Sequence, residues 1–163
     1  MKKLLTPICL LLTFSLCAQM TKDDVNLIQA MYGKGKRDFM KGYMNLPDSL
    51  ASTTSFWNIY DSYEAERKTL GQDYISIMQD YANNYATLNN TLADQLVTRM
   101  SANNMAYEKL YSKYYPKIKG AVGALKASQF LQLEGYFRSA IKVAVYDQLP
   151  FIGEIDRSKK PNP

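Results

Sequence analysis

The chain has 163 residues, 47 % of them hydrophobic, with 20 Lys and Arg against 15 Asp and Glu, two Cys and no His. That apolar share argues against global disorder and suits one domain with a modest core. A net charge of +5 without a clustered basic stripe lacks the footprint of a nucleic-acid binder, and the absence of imidazole removes the commonest general base and metal ligand.

Met1-Lys2-Lys3 followed by the nearly unbroken apolar run from Leu4 to Ala18 reads as a cleaved signal peptide over residues 1–18, which places the mature chain in the periplasm. The run is shorter than the ~20 apolar residues of a membrane-spanning helix and contains Pro7, so stable membrane insertion is not expected. Processing after Ala18 removes both Cys9 and Cys17, leaving neither a disulfide nor a thiol. Lipidation at Cys17 is the competing reading, but Leu16 stands where such a site wants Gly, Ala or Ser. Without Lys2 and Lys3 the basic residues fall to 18 against 15 acidic, a net charge of +3.

Four helices are expected in one domain over 19–152, with a flexible tail over 153–163 that is disordered from Ser158. The first begins near Thr21, an N-cap candidate with Asp23 and Asp24 in the first turn, and places Val25, Ile28, Tyr32, Phe39 and Tyr43 on one face. Gly33 and Gly35 invite a bend. Asn45-Leu46-Pro47-Asp48 breaks the pattern. The second helix carries a seam of Phe56, Tyr60, Tyr63, Leu70, Tyr74, Ile77, Tyr81 and Tyr85, about ten turns long. The segment from Asn83 to Asn90 supplies turn and capping residues, after which Leu92, Leu96, Met100, Tyr107, Leu110, Tyr111 and Tyr114 mark a third helix. Pro116 either ends that helix near Tyr115 or kinks it on the way to about Lys119. After Gly120 and Gly123, Leu125, Phe130, Leu133, Phe137, Ile141 and Ala144 trace a fourth helix to about Gln148.

Catalytic and cofactor chemistry finds little to work with, and neither a cofactor nor a metal is expected. Asp61, Glu64 and Glu66 are close in sequence, but Glu64 stands four residues before Lys68, the spacing of a surface ion pair. No calcium-loop ladder occurs, and Gly33-Lys34-Gly35-Lys36 sits within a helical pattern as a flexible basic corner rather than a phosphate loop. The candidate client or partner surface is on the third helix, where Tyr107, Tyr111, Tyr114 and Tyr115 interleave with Lys109, Lys113, Lys117 and Lys119. Tyrosine offers a large contact area with a polar tip, and lysine steers acidic segments. The same spacing also fits a tyrosine core seam flanked by surface lysines. Met31, Met40, Met44, Met78, Met100 and Met105 would add soft surface suited to varied partners, and Trp57 reads as a core anchor beside Phe56.

Phe39-Met40-Lys41-Gly42-Tyr43-Met44-Asn45-Leu46 followed by Phe56-Trp57-Asn58-Ile59-Tyr60 and Tyr63-Glu64-Ala65-Glu66-Arg67 resembles the Spy/CpxP-like periplasmic proteins. Asn84-Tyr85-Ala86-Thr87-Leu88-Asn89 falls where that family shows Leu-Thr-x-x-Gln, with Asn89 in place of the Thr and Leu92 in place of the Gln. A second echo runs from Ala124 to Glu134. The resemblance implies an all-α fold of four helices in long antiparallel hairpins, a homodimer, and ATP-independent holding of unfolded envelope proteins or a part in envelope-stress signalling. The alternative is a non-catalytic sensor or scaffold module for one specific envelope partner.

Overall fold

The computed structural model describes residues 35–47 and 51–150; at Ala51 and Ser52 only the backbone is described. The leader, both cysteines, the Thr21 cap, the seam at Val25, Ile28 and Tyr32, Gly33 and the tail lie outside the described residues. The protein is all-helical: α1 occupies 35–43, α2 Ala51–Asn84, α3 Asn90–Val122 and α4 Ala124–Tyr146, with a 3₁₀ turn at Tyr85–Thr87 and no strand among the described residues.

The two long helices form because aromatic and aliphatic residues recur at steps of three and four. On α2 the buried stripe runs through Phe56, Tyr60, Tyr63, Tyr74 and Ile77, and on α3 through Leu96, Tyr107, Leu110, Tyr114 and Ile118. Their 34 and 33 residues correspond to rods of about 50 Å. They lie antiparallel, as the polar pairs show: Asp80 takes Arg99 at 2.6 Å, Asp73 takes Asn103 at 2.8 Å and Glu66 takes Lys113 at 2.7 Å, stepping down one helix as they step up the other.

The turn between them is set by Asn89, whose side chain accepts the Leu92 backbone N–H at 3.0 Å and starts α3. Replacing Asn89 with Ala is expected to cost about 1 kcal/mol, read as a lower midpoint in urea with an unchanged slope.

Pro116 neither ends α3 nor confines it to Lys119; the helix continues to Val122. Tyr114 and Ile118 on either side are 2 % and 0 % exposed, and their burial outweighs the hydrogen bond the proline removes. Gly120 lies inside the helix, and the break falls at Gly123 alone, whose φ of 84° is the left-handed geometry that glycine adopts without strain. Leu125, expected on the core face of α4, is exposed; the face that packs is Ala127, Phe130, Leu133 and Phe137. The fourth helix thus keeps the expected stripe at Phe130, Leu133 and Phe137 and differs at its start, where Ala127 takes the core position in place of Leu125.

Two apolar clusters result. One joins Met40 of α1 and Met44 just after it, Phe56, Tyr60 and Tyr63 of α2, Leu110, Tyr114 and Ile118 of α3, and Phe130 and Phe137 of α4. Phe130 is its hub, with ring centroids 6.1, 6.3 and 5.0 Å from Phe56, Tyr60 and Tyr63, all edge to face. The other, toward the α2–α3 turn, gathers Tyr74, Ile77, Met78, Leu96, Val145 and Leu149. Trp57 sits at the edge of the first cluster, half-buried, 4.9 Å from the Phe56 ring and with the Arg37 guanidinium 4.3 Å above its own.

Candidate functional site

The tyrosines of the expected partner surface face inward. Tyr107 and Tyr114 are buried, and Tyr111 is half-buried against the first cluster. Burial pushes the Tyr111 phenol up to about 12, with the nearby Glu134 charge adding to the shift. Lys109, Lys113 and Lys117 point outward, so the structure divides the proposed set into a core half and a surface half. Lys113 is already engaged: its ammonium meets both Glu66 oxygens at 2.7 and 2.8 Å, and the Tyr114 hydroxyl donates to the same carboxylate at 2.7 Å. Lys117 lies 5.0 Å from the centre of the Tyr114 ring. The outward surface here is a lysine strip lying over a tyrosine edge.

The methionines divide as well. Met40 and Met44 are fully buried, because α1 turns them onto the aromatic cluster, whereas Met105 is exposed. Met78 and Met100 border a second feature that sequence reasoning missed. Between the end of α2, the start of α3 and the end of α4 lies an apolar groove of about 360 Å³, with Met78, Leu88, Leu96, Val97, Met100 and Leu149 among its walls. No charged side chain lines it among the described residues. Its floor is buried, but Val97 on its rim is 67 % exposed. The signal was present as Leu92, Leu96 and Met100 at steps of four, with Ala93 and Val97 beside them. That doubles the width of an ordinary stripe, and a stripe too wide for one neighbour leaves part of itself uncovered.

The groove and the lysine strip are separate surfaces. Val97 and Lys113 are 16 positions apart on one helix, which at 3.6 residues per turn puts them roughly 160° apart around its axis.

Between the two apolar clusters lies a polar layer. Lys36 of α1, only 4 % exposed, reaches Glu64 of α2 at 2.5 Å and Glu134 of α4 at 2.7 Å. Arg67 clamps Glu64 with two bonds of 3.0 Å, and the Tyr63 hydroxyl donates to Glu134 at 2.7 Å. Glu64 is thus no partner of Lys68 but part of a buried network. Burial alone would raise its carboxyl; Lys36 and Arg67 outweigh that and hold it below the ordinary carboxylate range. For Glu134 burial wins over the pull of Lys36, and its carboxyl is raised. The basic corner at Gly35-Lys36 is accordingly a helical segment with its lysine turned inward.

Among the described residues no group of three or more Asp, Glu, Cys or His is placed to hold a metal, and no helix is long and apolar enough to cross a membrane. No family model, curated protein or solved structure matches the chain.

Proposed function

We propose that this is a periplasmic, ATP-independent holding protein that acts as a homodimer and takes apolar segments of unfolded envelope proteins into the groove between α2, α3 and α4. The observation that carries the reading is the lining of that groove. A small-molecule pocket of its size fixes its ligand with a few placed polar groups; here the walls are aliphatic side chains, two methionines and tyrosines. Such walls recognise apolar bulk without selecting its shape, and methionine repacks around different occupants.

The lysine strip has a second role in this reading, that of drawing acidic stretches of the client toward the protein from the other side of α3. Long-range attraction changes the rate of encounter and its salt dependence more than the lifetime of the complex. Replacing Lys109, Lys113 and Lys117 with Gln is expected to slow client capture severalfold at low salt, an effect that fades as ionic strength shortens the screening length to ~8 Å. Helicity should not change, because the Lys113–Glu66 pair that is lost is about half exposed and contributes at most ~1 kcal/mol. Equal capture rates at low salt would remove the strip from the account.

The experiment for the main reading is light scattering of two unrelated aggregating proteins with and without the purified protein and without nucleotide. Suppression of both at near-stoichiometric amounts is the expected result. Suppression of neither, with a single partner recovered from the envelope, would favour the dedicated scaffold or sensor module instead. The mass measured by static light scattering reads the dimer.

A further inference from the structure

Arg67, Tyr74, Tyr107, Glu134, Arg138 and Lys142 border a cavity of about 40 Å³ in the polar layer, beside the Lys36 network and apart from the apolar groove. The charges around it do not balance. Its two nearby carboxylates are committed, Glu64 to Lys36 and Arg67, and Glu134 to Lys36 and the Tyr63 hydroxyl. Arg138 and Lys142 have no buried carboxylate of their own among the described residues; the Arg138 guanidinium lies 4.0 Å from the centre of the Tyr107 ring and the Lys142 ammonium 6.0 Å from that of Tyr74. Both donate to one neutral atom, the Asn104 amide oxygen, at 2.7 and 3.0 Å. The nearest carboxylate to Arg138 is that of Glu108, at 3.4 Å and 72 % exposed, where water screens it.

Two donors are also left over, while the Glu134 Oε1 acceptor on the same wall faces the Lys36 ammonium at 2.7 Å. The Arg138 Nε–H and the Tyr74 hydroxyl are buried and have no hydrogen-bond partner among the described residues, and Tyr74 as a whole is 4 % exposed. Buried donors of this kind call for an occupant. The cavity has room for about three waters, far less than a drug-sized ligand needs. Water alone would satisfy the donors but leave the two cations sharing one neutral oxygen. The Lys142 ammonium is already held below the ordinary lysine range, by burial first and by Arg138 second, with Glu108 pulling the other way.

We propose that this cavity binds a small monovalent anion, of the size range from chloride to acetate, held by Arg138, Lys142 and the Tyr74 hydroxyl. The anion would offset one of the two positive charges and accept the two stranded donors, tying α2 to α4 at the level where the apolar clusters separate. The site owes nothing to client binding and stands or falls apart from it.

The test is thermal unfolding of the purified protein at constant ionic strength, with sodium gluconate replaced stepwise by sodium chloride, formate or acetate. A ligand that binds only the folded state raises the midpoint in proportion to the logarithm of its concentration above Kd. The expected result is a saturable rise for at least one of the three; a rise with chloride alone marks a halide site, and one with formate or acetate marks a carboxylate site. Lys142→Gln and Arg138→Gln should each weaken the anion by about tenfold or more, as expected for the loss of a charged hydrogen bond. Tyr74→Phe, which removes one oxygen and leaves the ring in place, should weaken it less and serves if the charge variants fail to fold. As a second reading, the Lys142 side-chain titration followed by NMR should move up when the anion saturates. The proposal is overturned if the midpoint is the same in all four salts, or if the rise persists undiminished in Lys142→Gln and Tyr74→Phe.

Discussion

Lys36→Met is expected to destabilise the fold by about 3–5 kcal/mol, the loss typical of breaking a buried ion pair from one side. One ammonium touches carboxylates on α2 and α4 while belonging to α1, and three aromatic rings, Tyr60, Tyr63 and Phe137, lie 5.5–6.0 Å from it. Methionine fills the volume but leaves Glu134 buried with only the Tyr63 hydroxyl, and Glu64 with only Arg67. The cost is that of a stranded charge, so Lys36→Met combined with Glu134→Gln should recover a large part of it. A simple loss of packing would not be recovered.

The pH dependence separates the same two causes. In the wild type the depressed Glu64 contributes stability above its unfolded pKa, and that contribution is lost as pH falls through its lower folded value. The raised Glu134 acts in the opposite sense, and removing Lys36 raises it further. An acid whose folded pKa is raised is least unfavourable when protonated, so the Lys36→Met deficit should be larger at pH 8 than at pH 5. Urea unfolding at the two values, with the slope held in common, checks it. An equal deficit at both would mean that the lysine acts through its methylenes and not its charge.

The helices were legible because periodicity is a property of the sequence itself. Phe56, Tyr60, Tyr63, Tyr74 and Ile77 repeat at helical steps whatever they pack against, and Asn89 caps from its own position. What faces a stripe is not written in the stripe. The tyrosines of α3 fit a core seam and a partner surface equally well by spacing, and only the proximity of α2 and α4 turns Tyr107 and Tyr114 inward. Lys36 was obscured by its glycine neighbours, yet it shares a face with Met40 and Met44 at steps of four, and a lysine in register with two buried methionines is a sign of a buried cation. Glu134 carried a similar sign, lying four residues after Phe130 and three before Phe137. Each charge could be found as an anomaly in an apolar face; that the two are partners across 98 positions could not. Whether α3 ends near Tyr115 or runs on past Pro116 stayed open for the complementary reason, since the local penalty is visible in the sequence but the burial of Tyr114 and Ile118 that offsets it is not.

The groove makes the strongest functional prediction. Val97→Glu puts a carboxylate on the rim of a surface that has no charge among its described walls, and Val97 is exposed enough for the change to spare the fold. An apolar segment entering such a groove would have to strip water from the carboxylate or stop short of full contact, and either should weaken client binding by about tenfold or more. Leu125→Glu is the matched control, an apolar position on α4 that is also well exposed and does not line the groove. The deciding measurement is therefore the light scattering of an aggregating protein in the presence of wild type, Val97→Glu or Leu125→Glu, each first shown to unfold at the same temperature. The account predicts that the wild type and Leu125→Glu suppress aggregation alike while Val97→Glu loses most of its effect; suppression by Val97→Glu at wild-type stoichiometry would contradict it.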